Sequence, residues 1–169
     1  MIILGVDPGT ASTGFGVIVD DGSRGLYASA YGVVTTLPGQ SAERRLAQIY
    51  GELATVIREH KPDVVAVEEL FFKRNVSTGI AVAQARGVAL LAAAHADLAV
   101  VGYKPAEVKQ AISGVGNAAK DQVRYMTQEL LRLDTMPQPD DAADALAVAV
   151  CHAHRYVAEM RIAQASATT

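Results

Sequence analysis

The 169-residue sequence predicts a single α/β domain built on a mixed sheet, an antiparallel three-strand meander extended by parallel strands and flanked by helices. Three observations predict it. The chain opens on a short apolar run, Ile2-Ile3-Leu4-Gly5-Val6, that ends in Asp7 and turns at Pro8-Gly9-Thr10. Two strand-like runs follow at once, with a Gly-rich turn between them. A helix-periodic segment then leads into the continuous apolar run Val64-Val65-Ala66-Val67, the signature of a strand buried on both faces. Residues 1–156 are expected to form the domain, and 157–169, ending Ala-Ser-Ala-Thr-Thr, a flexible tail.

Half the residues are hydrophobic and a fifth are charged, an ordinary soluble composition. There is no run of eighteen apolar residues and no signal-peptide pattern at the start, so a cytoplasmic protein is expected. The single cysteine, Cys151, excludes an intramolecular disulfide framework. His152 and His154 lie beside it, but zinc needs more ligands at suitable spacing, and ordinary helix positions are the better reading. The net charge is −3. Taken alone this disfavours a nucleic-acid partner, yet net charge averages over faces, and an acidic metal site would lower it.

In the first strand an Asp at the buried end needs water, a partner charge or a metal. Asp7 can be a turn-capping residue before Pro-Gly. It also stands at the C-terminal end of a central strand, where open α/β sheets bind ligands. The second strand is Gly14 to Asp20, the turn is Asp21-Gly22, and the third strand is Leu26 to Thr36. From Ser41, a plausible N-cap, to His60 the apolar residues Leu46, Ile49, Leu53, Val56 and Ile57 fall at helical spacing, and Pro62 ends the run. A strand after such a crossover most simply lies parallel to the first. Glu68 would then sit beside Asp7, although Glu68 and Glu69 can equally be solvated residues at a strand exit.

Phe71-Phe72-Lys73-Arg74-Asn75 comes next. Either one Phe folds back onto the sheet, or the loop is a stacking surface for bases with its cations on phosphates. Residues 76–96 predict a long helix rich in Ala, apolar on several faces, suited to close packing in the core or across a dimer interface. Arg86 is the main charge inside it and needs a partner or a ligand. Leu98 to Tyr103 predicts a strand, and Pro105 to Ile112 a short helix carrying Lys109. After Gly114-Val115-Gly116, a helix is expected from Ala119 to Leu133, with Lys120 in its first turn and Arg124 one turn on. A cation there opposes the helix dipole, which hints at an anionic ligand.

The last helix is expected from Asp140, a suitable N-cap, to about His154. Asp141 and Asp144 share one face of its first turn. The helix dipole alone favours acids there, by roughly 0.3–1 kcal/mol. The apolar neighbours Ala142, Ala143, Ala145 and Leu146 place the pair at the edge of a packed helix. Asp7, Glu68, Asp141 and Asp144 thus fall at element ends that can meet on one sheet edge. Hard oxygen ligands of this kind select Mg²⁺ or Mn²⁺. Four carboxylates suit a pair of ions that clamps a phosphodiester.

Taken together, five motifs resemble the RuvC family of Holliday junction resolvases. They are Asp7-Pro8-Gly9-Thr10, Val67-Glu68 before an aromatic-basic loop, Gln84-Ala85-Arg86-Gly87, Val108-Lys109-Gln110, and Asp141-Ala142-Ala143-Asp144-Ala145-Leu146, in order from residue 2 to about 154. The resemblance implies a ribonuclease H-like fold and a homodimer. It implies Mg²⁺-dependent endonuclease activity, with Mn²⁺ as a substitute, giving symmetric paired nicks at four-way DNA junctions that leave 5′-phosphate and 3′-hydroxyl ends. By position it makes Asp7, Glu68, Asp141 and Asp144 the catalytic and metal-holding acids. Phe71 becomes the aromatic near the junction centre. Lys109 and Lys120 become DNA-engaging cations near the scissile phosphate, and the 76–96 helix the dimerisation helix. It also implies a branch-migration motor of the RuvA and RuvB type as partner. Phe72, Lys73, Arg74, Asn75, Arg86 and Arg124 complete the expected DNA-binding set.

Other readings compete. The strand-Asp-x-Gly-Thr opening also resembles the phosphate loop of actin-like and sugar-kinase ATPases, which need a second lobe and a second phosphate loop. A junction-binding protein with a dead site is a second possibility. A nuclease for RNA–DNA hybrids is a third.

Overall fold

The computed structural model describes residues 1–69 and 76–167. Ten elements follow in the order β1 (Ile2–Asp7), β2 (Ser12–Asp20), β3 (Leu26–Thr35), α1 (Ala42–His60), β4 (Val64–Glu68), α2 (Val76–His95), β5 (Ala99–Tyr103), α3 (Pro105–Ser113), α4 (Lys120–Leu131) and α5 (Asp140–Ala167). The strands form one five-stranded sheet in the order β3-β2-β1-β4-β5. β1, β2 and β3 are antiparallel, and β4 and β5 run parallel to β1. The expected mixed sheet is therefore present, with β1 at its centre.

Strand pleating sorts the side chains onto two faces. Ile3, Ile18, Val64, Ala66 and Tyr103 pack with α3, α4 and α5. Leu4, Val6, Val17, Val65 and Val67 pack with α1 and α2. Both faces are covered, which is why β4 is apolar without alternation.

α5 comes closer to the sheet than ordinary side chains would permit. A β-carbon on Gly5 would overlap the carbonyl of Ala145 and press on Ala149. One on Gly14 would overlap the carbonyl of Asp141, and one on Gly16 would press into Leu146. Glycine within a strand marks such an approach. From Ala142 to Ala153 this helix is almost wholly buried, and half of its residues there are alanine.

Two local expectations change. Ser41 does occupy the N-cap of α1, but its side chain makes no capping bond and instead hydrogen-bonds the Glu43 carboxylate. α5 does not end near His154 but continues to Ala167. No Gly or Pro interrupts residues 154–167, and Arg155 donates to Glu159 one turn on at 2.8 Å. The outer turns are exposed, including Tyr156, Met160 and Ile162. Among the described residues no helix is long and apolar enough to cross a membrane.

The close approach predicts opposite outcomes for two glycines. Gly5→Ala should destabilise by ~2–3 kcal/mol through overpacking. Gly51→Ala, where an added β-carbon meets nothing within 4 Å on α1, should stabilise by ~0.5–1 kcal/mol. Urea unfolding of both variants measures this, and equal effects would refute the packing described.

Candidate active site

Three elements deliver the four acids, β1, β4 and α5. β1 and β4 pair in parallel with Val6 opposite Val67, so the next residues, Asp7 and Glu68, emerge side by side. Asp7 shares its face with Ile3 and Gly5, and Glu68 shares its face with Val64 and Ala66, the face that α5 covers. One residue on, the pleat turns Glu69 to the other face, where its carboxylate lies against Gly102. Across β1, Asp7 pairs with Gly14, and the carbonyl of Asp141 lies where the missing Gly14 side chain would be. Two tight hydrogen bonds hold the intervening β1–β2 loop. Thr13 Oγ1 donates to the Gly9 carbonyl and Thr36 Oγ1 to the Thr10 carbonyl, both at 2.6 Å.

Asp7, Asp141 and Asp144 each bring a carboxylate oxygen within 4.8 Å of the other two, and all three are half-buried. Glu68 joins the group beside Asp7, near enough for its charge to raise the Asp7 carboxyl. The crowding is visible in their acidities. Burial, followed by repulsion from Glu68, Asp144 and Asp141, pushes Asp7 up to about 8. Glu68 is raised by burial and then by Asp144, and Asp144 by burial above all. Three raised carboxyls at one strand edge are the electrostatic mark of a site for a cation or a shared proton. The donors are all hard oxygens, and the group can hold a metal ion.

Cations flank the group. Lys120 Nζ lies 2.9 Å from Asp144 and 3.4 Å from Asp140. Desolvation pulls Lys120 down, but its bonds to Asp144 and Asp140 prevail and hold the ammonium above its ordinary value. Lys109 donates to the Ala118 carbonyl at 2.8 Å and is close enough to lower Glu68. Arg124, only 11% exposed, is held by Asp140 at 3.0 Å and faces Asp121 at 3.8 Å.

The fold thus brings together Asp7, Glu68, Asp141, Asp144, Lys109 and Lys120. Arg124 is directed at Asp140 rather than outward. Arg86 is half-buried on α2, its Nε without a hydrogen-bond partner among the described residues. Phe71, Phe72, Lys73, Arg74 and Asn75 lie outside the described residues. Asp140 has a part the sequence did not suggest. It bridges Lys120 and Arg124, and only the docking of α4 beside α5 could reveal that. Cys151, His152 and His154 form no metal group with other residues among those described. His152 bonds the Tyr103 hydroxyl and His154 the Ala111 carbonyl.

Comparison with known proteins identifies the family. The model of the family "Crossover junction endodeoxyribonuclease RuvC" matches residues 3–152. The chain belongs to the RuvC family. It is 49% identical over 162 residues to the RuvC of Pelotomaculum thermopropionicum, covering 96% of this chain and 98% of that one. It is 55% identical over 154 residues to the RuvC of Heliobacterium modesticaldum, covering 91% and 94%. Among solved structures, T. thermophilus RuvC in complex with Holliday junction substrate superposes with a TM-score of 0.88 at 38% identity, covering 92% of this chain and 94% of that one. This RuvC-family domain therefore has the ribonuclease H-like fold of a family of nucleases.

The raised Asp7 has a consequence for stability. Asp7 ionises near 4 in the unfolded chain and near 8 in the fold. Between those values the unfolded chain has released a proton that the fold retains, so metal-free stability should fall as pH rises from 4 to 8 and level off above. Asp7→Asn removes that titration and keeps a donor for Glu68. It should match the wild type near pH 4 and exceed it at pH 8 by roughly 1–3 kcal/mol. Denaturant unfolding in EDTA across this range tests it, and parallel profiles would contradict the burial of Asp7.

Proposed function

We propose that this chain resolves four-way DNA junctions, nicking two opposed strands as a homodimer and leaving 5′-phosphate and 3′-hydroxyl ends. The observation that carries the reading is the convergence of Asp7, Asp141 and Asp144 within 4.8 Å of one another in a RuvC-family chain. The Holliday junction substrate bound to its T. thermophilus relative supplies the substrate class.

Asp7, Glu68, Asp141 and Asp144 would hold Mg²⁺, two ions per site, with Mn²⁺ as a substitute. Bound there, the ions supply Lewis-acid activation of water and of the departing 3′ oxygen. Ionised, Asp7 and Glu68 would offer their oxygens to the ions beside Asp141 and Asp144. Lys120, held by Asp144 and Asp140, would offer its ammonium to a phosphate oxygen of the bound strand. Lys109, fixed by the Ala118 carbonyl, offers a second positive charge to the same strand. These cations offset the repulsion between the acids and the DNA backbone. Phe71 stacks at the junction centre, with Phe72, Lys73, Arg74, Asn75 and Arg86 along the DNA path.

A homodimer suits a substrate of approximate two-fold symmetry, because an isologous pair presents two identical sites. α2 supports this assignment. Ile80, Gln84, Gly87 and Leu91 recur at helical spacing as one exposed stripe, with Ile80 55% and Leu91 48% exposed. A branch-migration motor of the RuvA and RuvB type would deliver the junction.

The test is cleavage of a synthetic four-way junction and a matched duplex, each in Mg²⁺ or EDTA. Paired nicks on the junction alone, dependent on Mg²⁺ and reduced at least ~100-fold in Asp7→Asn, are expected. Junction binding without any nicking would replace this reading with a binding module. Equal cleavage of the duplex would remove the structure selectivity.

A further inference from the structure

A cavity opens beside the β1–β2 loop that leads out of β1. About 220 Å³ in volume, it lies between that loop, the start of α1 and α2. Its polar lining consists of Thr10, Gln40, Arg45 and Gln84, completed by Ala42, Leu46 and Ala81. Among the described residues, no carboxylate lines it.

The hydrogen bonding around this cavity makes it a set of donors. Arg45 is half-buried, and its Nε is shut off from solvent with no hydrogen-bond partner among the described residues. A buried donor left unmatched is costly, so it calls for an acceptor. Gln40 accepts from the Leu37 N–H through Oε1 at 2.9 Å, which leaves its amide NH₂ as the free end. The Thr10 carbonyl, an acceptor that would repel an anion, already receives the Thr36 hydroxyl. Gln84 is exposed and adds an amide that can turn its NH₂ inward. A guanidinium with convergent amide donors is the chemistry that recognises phosphate.

Location makes the phosphate part of DNA. Thr10 follows Asp7 by three residues, so their Cα atoms are at most ~11 Å apart. A nucleic-acid strand carries a phosphate about every 3.4 Å along the helix axis. A strand whose reacting phosphate meets the acids has neighbouring phosphates at a spacing that can reach this cavity.

We propose that the cavity bounded by Thr10, Gln40, Arg45 and Gln84 is a phosphate-binding subsite, gripping a phosphodiester of the substrate strand beside the cleaved bond. The proposal rests on the junction-resolving function above and adds a residue, Arg45, that contacts DNA without touching the reacting atoms. Its work is to fix strand register, because phosphate contacts position the backbone without reading sequence.

The test measures junction binding in the Asp7→Asn background with Mg²⁺ present, and cleavage with Asp7 intact. Arg45→Gln should weaken junction binding about 5- to 30-fold, and the slope of log K against log salt should fall by about 1. Turnover at saturating junction should change less than about threefold. Gln40→Glu keeps the acceptor for Leu37 and turns the inward donor into an anion. It should weaken binding at least as much, and it tests the site even if Arg45→Gln folds poorly. Arg58→Gln, the same charge loss on an exposed turn of α1 about 20 Å along the helix, is the control and should leave the slope near wild type. Inorganic phosphate should compete only at millimolar levels; tight binding of free phosphate would instead make the cavity a small-anion site and overturn the assignment to DNA. Slopes and affinities for Arg45→Gln and Gln40→Glu equal to those of Arg58→Gln would also overturn it. If the wild type itself shows no preference for junctions over duplex, the function above fails, which is a separate result.

Discussion

Between Gly5, Gly14 and Gly16 of the sheet and the facing turns of α5 there is no room for a β-carbon. Glycine in a strand interior forfeits side-chain packing and carries an entropic cost of ~0.5–1 kcal/mol relative to alanine. Three such positions on the two central strands are a standing loss, offset by burial of the Ala-rich face of α5. The gain is positional. Because the first turn of α5 sits directly over Gly14, and Gly14 pairs with Asp7, the carboxylates of Asp141 and Asp144 reach the end of β1. A bulkier residue at Gly14 would lift the helix, and the acids with it.

The electrostatics follow from that geometry. Acids brought together at a half-buried strand edge cannot all ionise cheaply, and their acidities move up accordingly. The protein tempers this with Lys120 and Lys109, and it steadies Lys120 with a second layer made of Asp140 and Arg124. Such a network has two uses. It offsets the mutual repulsion of the acids, and it keeps positive charge within reach of a phosphate. The fork of Arg124 supports the site from behind, through Asp140, while Lys120 faces the acids directly.

Much of this could be read from residues alone because it depends on periodicity and topology. A strand that follows a helix crossover most simply lies parallel to the first, which brought Asp7 and Glu68 together. Strand phase separated Glu68 from Glu69, and helix phase placed Asp141 with Asp144. What resisted reading depends on how elements dock. Arg124 reads as an outward cation on α4, and its pairing with Asp140 exists only because α4 lies against the start of α5. The extra length of α5 was marked only by the absence of breakers after His154. Gly5, Gly14 and Gly16 did carry a signal, since glycine in a central strand signals close backbone approach, but naming the partner element needs the tertiary structure.

The most direct measurement is Mn²⁺ binding to the wild type and to Gly14→Ala, by calorimetry at pH 7.5, with each protein shown to be folded by circular dichroism. If the docking of α5 on Gly14 sets the spacing of the acids, folded Gly14→Ala should bind Mn²⁺ at least ~10-fold more weakly, a loss of about 1.4 kcal/mol. Equal affinity in the two folded proteins would contradict the account, because the acids would then find their spacing without the close approach of the helix.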